Sequence, residues 1–306
     1  MSSSLVFALL RHGQKFLVYP SAFIEGPREI SKPSELGLEY EDLALTTADG
    51  VRLDCYFISH AAQSAQRIQE HEDNDFPRDS SSAFRPPESY EGPAIANVLM
   101  FHGNGMNYGD LMYAAKRLVM RRCNVLLLSY RGYGTSKGSP SESGLKLDAQ
   151  AALDRVRKGP ALPTILFGTS LGGAVAIDLA SRNPTAISAI ILENTFLSLP
   201  RVVRDWPYIG LFSFLVMQRW NSASRLPSIP ATVPMLFLSG ASDEVVPKKH
   251  MEGLWEIARR RKRGATSGLD RFESFKAGMH ADTFLQPGYW DKVDDWLQAV
   301  TAPPES

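Results

Sequence analysis

Gly168-Thr169-Ser170-Leu171-Gly172 places a serine between two glycines, two residues from each. This is the pattern of a nucleophile elbow, a sharp turn from strand to helix that presents a hydroxyl for attack on an acyl carbon. A serine hydroxyl is a poor nucleophile at neutral pH, so such chemistry needs a neighbouring base and a group that orients the base. A second segment, Gly134-Thr135-Ser136-Lys137-Gly138, has the same spacing, so the pattern alone does not choose. The flanks do. Thr164-Ile165-Leu166-Phe167 reads as a buried strand ending at Gly168, and the small apolar run after Ser170 reads as a helix pressed on a sheet. Ser136 is followed by Gly138-Ser139-Pro140, which reads as loop. Ser170 is the expected nucleophile; a helix-capping serine would also suit its position.

In an elbow-type hydrolase the chain order is serine, acid, histidine. Of the six histidines, His250 and His280 follow Ser170. His250 lies at a helix start behind Lys248 and Lys249, which oppose its protonation. His280 follows the strand Arg271–Phe275 and the turn Lys276-Ala277-Gly278-Met279, where a loop can deliver a base. The acid candidates at strand ends are Asp243 and Glu193. Asp243, in the loop nearer His280 in sheet order, leads; Glu244 replaces it if the register is one residue off. Glu193 is then expected to tie its own loop to the segment beyond it. Negative charge developing on the acyl oxygen calls for two backbone N–H donors. Leu171 supplies one. Asn104, in the glycine-rich turn His102-Gly103-Asn104-Gly105, is expected to supply the other, with His102 as a brace beneath it.

The elements that must hold these groups follow from periodicity. Glu41–Thr47 and Val51–Ser59 flank Asp49-Gly50, a hairpin signal. Short apolar runs at Asn97–Phe101, Val125–Ser129, Thr164–Phe167, Ile187–Leu192 and Met235–Leu238 read as buried parallel strands. Between and beyond them lie helical patterns at Leu111–Arg121, Gly144–Arg157, Leu171–Ser181, Lys248–Arg260 and Tyr289–Val300, with a last strand at Arg271–Phe275. This alternation predicts an α/β fold with a mostly parallel central sheet and helices on both faces. The expected organisation is an N-terminal arm over 1–30 and one domain over 31–300. Within that domain, 60–93 is a polar, disordered insertion, and 195–230 is an aromatic-rich lid carrying Trp206, Phe212, Phe214 and Trp220.

Composition bounds the function. The chain has 306 residues, 44% of them apolar, and 33 basic side chains balance 33 acidic ones. That neutrality gives no reason to propose a nucleic-acid partner. Cys55 and Cys123 have neither CxxC nor Cys/His spacing, so they are expected to be core thiols of a reducing compartment. Leu5–Leu10 is far shorter than the roughly 20 residues of a membrane span. With Arg11, His12 and Lys15 nearby, an arm on a membrane surface and an arm packed on its own domain both fit. The run Arg259-Arg260-Arg261-Lys262-Arg263 suits anionic lipid, a nuclear signal or, more often, a solvated helix end.

The segments His102–Gly105, Ser129–Pro140, Gly168–Gly173 and Glu193–Phe196, with Val18-Tyr19-Pro20-Ser21, resemble the bud-emergence subgroup of α/β-hydrolase-domain proteins over roughly residues 15 to 300. The resemblance implies the α/β-hydrolase fold, the triad roles for Ser170, Asp243 and His280, and membrane association through an N-terminal segment. The expected activity is hydrolysis of acyl esters or thioesters, lipid-like or acylated, through an acyl-enzyme without metal or organic cofactor. Amidase or peptidase activity, or a scaffold that retains the fold without turnover, are the alternatives. The expected location is intracellular, at the endoplasmic reticulum or plasma membrane or in the cytoplasm.

Overall fold

A computed structural model describes residues 18–19, 22, 30–63, 92–208, 210–261 and 268–302. Most of the expected arm and residues 64–91 of the expected insertion lie outside these. Eight strands form one sheet: β1 (Glu41–Thr46), β2 (Arg52–Ile58), β3 (Ala96–Phe101), β4 (Cys123–Leu128), β5 (Thr164–Thr169), β6 (Ala189–Glu193), β7 (Met235–Gly240) and β8 (Arg271–Phe275). Their order is β1-β2-β4-β3-β5-β6-β7-β8. β1 and β2 form an antiparallel hairpin, β2 joins β4 antiparallel, and every later pairing is parallel.

The helices are α1 (Met112–Val119), α2 (Glu142–Val156), α3 (Leu171–Arg182), α4 (Leu199–Asp205), α5 (Lys249–Arg259) and α6 (Tyr289–Thr301), with a helical turn at Ser222–Arg225. Side chains alternate across each strand, so the sheet needs cover on both faces. Leu99 and Phe101 of β3 and Leu166 of β5 point into a core closed by α2, α3 and α5. Val98 and Met100 of β3 and Ile165 and Phe167 of β5 point into a second core closed by α1 and α6. The layers are those that the alternation predicts, and the mostly parallel eight-stranded sheet is that of the α/β-hydrolase fold that the resemblance implies.

Strand order reverses between β3 and β5, because the chain reaches β4 on one side of β3 and returns to β5 on the other. The carboxyl ends of strands at such a switch leave a crevice where ligands bind. β3 runs there into His102 and β5 into Ser170.

Both cysteines are free and buried. Of the basic run, Lys262 and Arg263 lie outside the described residues. Arg261 is buried, donating to the carbonyls of Pro230 and Val233 and to both oxygens of Asp270. Its role is to join the end of α5 to the start of β8. At the described edges of the insertion, His60 is buried, its ring nitrogens 3.0 Å from Val119 O and 3.1 Å from Gly92 O. No helix among the described residues is long and apolar enough to cross a membrane.

Candidate active site

β5 passes into α3 through Ser170 alone, which takes φ 54° and ψ −117°. A non-glycine residue is held in such a conformation only when its surroundings over-determine it. The glycines explain how. A Cβ on Gly168 would lie 2.3 Å from Gly172 O, and a Cβ on Gly172 would lie 1.9 Å from Phe101 O. The amino end of α3 therefore sits directly on the backbone of β3 and β5. Ser170 N–H donates to Glu193 O at 2.8 Å, and Thr195 Oγ1 donates to Ser170 O at 2.7 Å. The Ser170 hydroxyl does not cap α3; its Oγ lies 3.1 Å from His280 Nε2.

His280 stands in the loop after β8. Its backbone N–H donates to Glu244 Oε2, and its carbonyl accepts from Asn194 Nδ2. On the ring, Nδ1 is 2.8 Å from Asp243 Oδ2. The other Asp243 oxygen accepts from the Val245 and Val246 N–H groups at 2.9 and 2.7 Å. That carboxylate is fixed by backbone on one side and faces the imidazole with the other, its side chain 1% exposed. With the Nδ1 proton directed at Asp243, Nε2 is free to accept from the serine hydroxyl. The structure thus brings Ser170, His280 and Asp243 into one hydrogen-bonded row. Glu244 touches the histidine backbone and leaves the ring to Asp243.

The runners-up sit elsewhere. Ser136 Oγ donates to Ser129 O and accepts from Asp54 N, so it pins a turn to β2 and β4. His250 is buried, its Nδ1 accepting from Leu197 N–H and its Nε2 2.8 Å from Asp205 Oδ2. It joins α5 to α4, away from any serine nucleophile. Glu193 is tied to the last helix rather than to the 195–230 segment: Tyr289 OH donates to its Oε2. The aromatic wall at that point comes from α6, which the spacing of the sequence does not pair with β6. Burial pushes the Glu193 carboxyl up to about 7, against the pull of the Tyr289 hydrogen bond and the nearby His280.

Asn194 is a residue that motif spacing misses. Its Oδ1 accepts from Gly240 N–H, and its Nδ2 donates to the Met279 and His280 carbonyls and to Thr283 Oγ1. One side chain thereby sets the loop that carries His280 against the end of β7. Its position in Glu193-Asn194-Thr195-Phe196 is the signal that marks it.

The turn after β3 faces the elbow. A Cβ on Gly103 would meet Ser170 Cβ at 3.4 Å, so any side chain on the turn there would press against the serine. Asn104 Nδ2 donates to Val18 O at 2.7 Å and Asn104 Oδ1 accepts from Tyr133 OH at 2.6 Å. The Leu171 N–H opens α3, where helical amides have no partner within the helix. His102 is wholly buried, its Nδ1 2.8 Å from Gly103 O and its ring 4.3 Å from that of Tyr130. Burial pushes its pKa down to about 4, so it packs beneath the turn as a neutral ring.

Ser170, His280, Asn104 and Leu171 line a cavity of about 530 Å³. Phe196, Leu199, Val202 and Trp206 wall it from the 195–230 segment, and Met106, Leu111 and Phe284 wall it from the body. Its ionisable lining side chains are Asp110, Tyr113, Glu193 and His280; none of the described lining residues is Lys or Arg.

Residues 92–225 match the family model described as serine aminopeptidase, S33. The chain is 37% identical over 291 residues to protein bem46 of Schizosaccharomyces pombe, covering 93% of this chain and 85% of that one. It is 36% identical over 278 residues to the α/β hydrolase domain-containing protein WAV2 of Arabidopsis thaliana, covering 84% and 78%. Among solved structures, it is similar to the Pyrococcus furiosus esterase Pf2001, with a TM-score of 0.68 at 17% identity, covering 91% of this chain and 98% of that one.

Proposed function

The chain belongs to the α/β-hydrolase family that includes protein bem46, and from that premise we propose that it is a serine hydrolase of apolar acyl esters or thioesters. Within the family, the sequence likeness supports a place in the bud-emergence subgroup. One observation carries the activity: the hydrogen-bonded row Asp243–His280–Ser170 ends at a strained serine on the wall of a largely apolar cavity.

In this reading Ser170 Oγ attacks the acyl carbon as His280 Nε2 takes its proton, and Asp243 holds the imidazolium that forms. The backbone N–H groups of Leu171 and Asn104 receive the charge on the acyl oxygen. His280 then protonates the leaving group. Water then attacks the acyl carbon as it gives a proton to His280, and His280 passes that proton to Ser170 Oγ as the acyl–oxygen bond breaks and the acid leaves. The apolar walls suit an acyl chain, and the 195–230 segment acts as a lid over it. Among the described lining residues there is no Lys or Arg, which argues against strongly anionic leaving groups, whose charge would face Asp110.

A second reading has a specific basis. The matched family model is described as an aminopeptidase, and the Asp110 carboxyl on the cavity wall suits a free α-amino group.

The test is labelling by a fluorophosphonate probe, followed by turnover of p-nitrophenyl acyl esters, acyl thioesters and aminoacyl p-nitroanilides. Wild type and Ser136→Ala are expected to label and Ser170→Ala is not. Turnover confined to the anilides would select the aminopeptidase reading. A folded wild type that neither labels nor turns over any of the three would leave a scaffold.

A further inference from the structure

The segment that walls the cavity has a second, outward face. Between Tyr208 and Phe214 four large apolar side chains meet solvent: Tyr208 is 95% exposed, Leu211 84%, Phe212 58% and Phe214 71%. Single exposed apolar residues are ordinary. Four within seven positions form a patch of the kind that marks an interaction site. Leu199, Val202 and Trp206, just before it in the chain, line the cavity. One short stretch therefore walls the cavity on its inner side and offers apolar groups outward.

Two arginines stand beside the patch on α4. Arg201 and Arg204 lie three residues apart on α4, hence on neighbouring turns of one side, and both are exposed. A Cβ on Gly210 would lie 2.4 Å from Arg204 O, so the apolar stretch is seated directly on the arginine-bearing end of α4. Among the described residues, neither arginine forms an ion pair. The acid of α4, Asp205, is already engaged by Lys249 at 2.6 Å and by His250 at 2.8 Å.

We propose that this face docks on an anionic lipid bilayer, with Tyr208, Leu211, Phe212 and Phe214 entering the headgroup region and Arg201 and Arg204 meeting lipid phosphates and carboxylates. Aromatic rings flanked by cations suit the interfacial zone of a bilayer. A second copy of the chain is a poorer occupant. A two-fold contact through this face would set arginines against arginines, with the Asp205 carboxylate already engaged by Lys249 and His250. The point where the chain joins its described body agrees with the lipid. Residues 1–17, apolar at Leu5–Leu10 and basic at Arg11 and Lys15, lead into Val18–Tyr19. Val18 lines the cavity, and Tyr19 OH is bonded to Gln218 and Trp220 of the same segment.

The experiment is co-sedimentation of the full-length protein with phosphatidylcholine vesicles, with and without phosphatidylserine. It uses wild type, the pair Phe212→Ser/Phe214→Ser and the pair Arg201→Gln/Arg204→Gln, with near-ultraviolet circular dichroism confirming that each is folded. Wild type is expected to pellet with phosphatidylserine vesicles and to release as salt is raised. Each lost positive charge lowers partitioning about fivefold, so the arginine pair loses about 25-fold. The phenylalanine pair loses binding to both kinds of vesicle. The proposal fails if wild type does not pellet. It fails equally if both variants pellet like wild type, which would assign membrane contact to the N-terminal residues. It fails too if sedimentation velocity finds a dimer that the phenylalanine pair disperses, which would assign the face to a second copy. Binding is read without turnover, so the result is separate from whether Ser170 reacts.

Discussion

Replacing Glu193 by Gln removes one ionisable proton from the centre of the molecule and changes little else. The side chain is 3% exposed, and the oxygen that accepts from Tyr289 OH has a counterpart in the amide. Burial raises the carboxyl from its ordinary 4.5 to about 7. The folded protein therefore keeps a proton that the unfolded chain gives up between those values, and stability falls as pH rises across that window. At roughly 1.4 kcal/mol per pH unit, the gap corresponds to about 3 kcal/mol, lost in full once pH exceeds the folded value. That is a large share of a typical folding free energy of about 5–15 kcal/mol. Urea unfolding of wild type and Glu193→Gln, followed at about pH 5 and about pH 8.5, reads the difference directly. The two proteins should be close in stability at the lower pH, and the variant should be more stable by about 3 kcal/mol at the higher. Asp148, which burial raises to about 6, titrates in the same range. It is common to both proteins and drops out of the comparison. Parallel pH dependences would refute the reasoning, since they would mean that Glu193 is already ionised in the folded state or reached by water.

Two further outcomes test the geometry of the site. Asp243→Asn should lower kcat on a p-nitrophenyl acyl ester by about 10⁴-fold. Glu244→Gln, which keeps an acceptor for the His280 N–H, should stay within about tenfold of wild type; equal losses would move the orienting role to Glu244. Gly172→Ala puts a methyl group 1.9 Å from Phe101 O and should cost about 3 kcal/mol or more, read as a fall in thermal midpoint. A melting curve that matches wild type would mean that α3 does not press on β3 as described.

The strands were legible because central parallel strands are short, continuous apolar runs. Val125–Ser129 and Ile187–Leu192 differ from β4 and β6 by one or two residues at their ends. The elbow could be chosen over Ser136 from flanking residues alone, because a strand before and a helix after are local properties. Spatial order was less legible. Nothing in the local pattern places β4 between β2 and β3, since that adjacency is set by which crossover packs on which face. The Glu193–Tyr289 and His250–Asp205 pairs bridge elements 96 and 45 residues apart, beyond the reach of periodicity. α4 was hidden inside an aromatic-rich stretch whose composition suggested a lid without giving its secondary structure. Trp220 of that stretch is buried while Phe212 and Phe214 are exposed, a division that depends on what packs beneath each ring.

The bond between Tyr19 and Trp220 spans 201 residues of chain, and that between Asn104 and Val18 spans 86. On a ribosome that adds about 5–20 residues per second, the partner of Tyr19 appears roughly 10–40 s after Tyr19 itself. During that interval the apolar residues that precede Val18 are already made, and the surface that will receive Tyr19 does not yet exist. The order of synthesis gives any chaperone or membrane-targeting factor a first claim on the N-terminus, and the finished domain takes Tyr19 only afterwards.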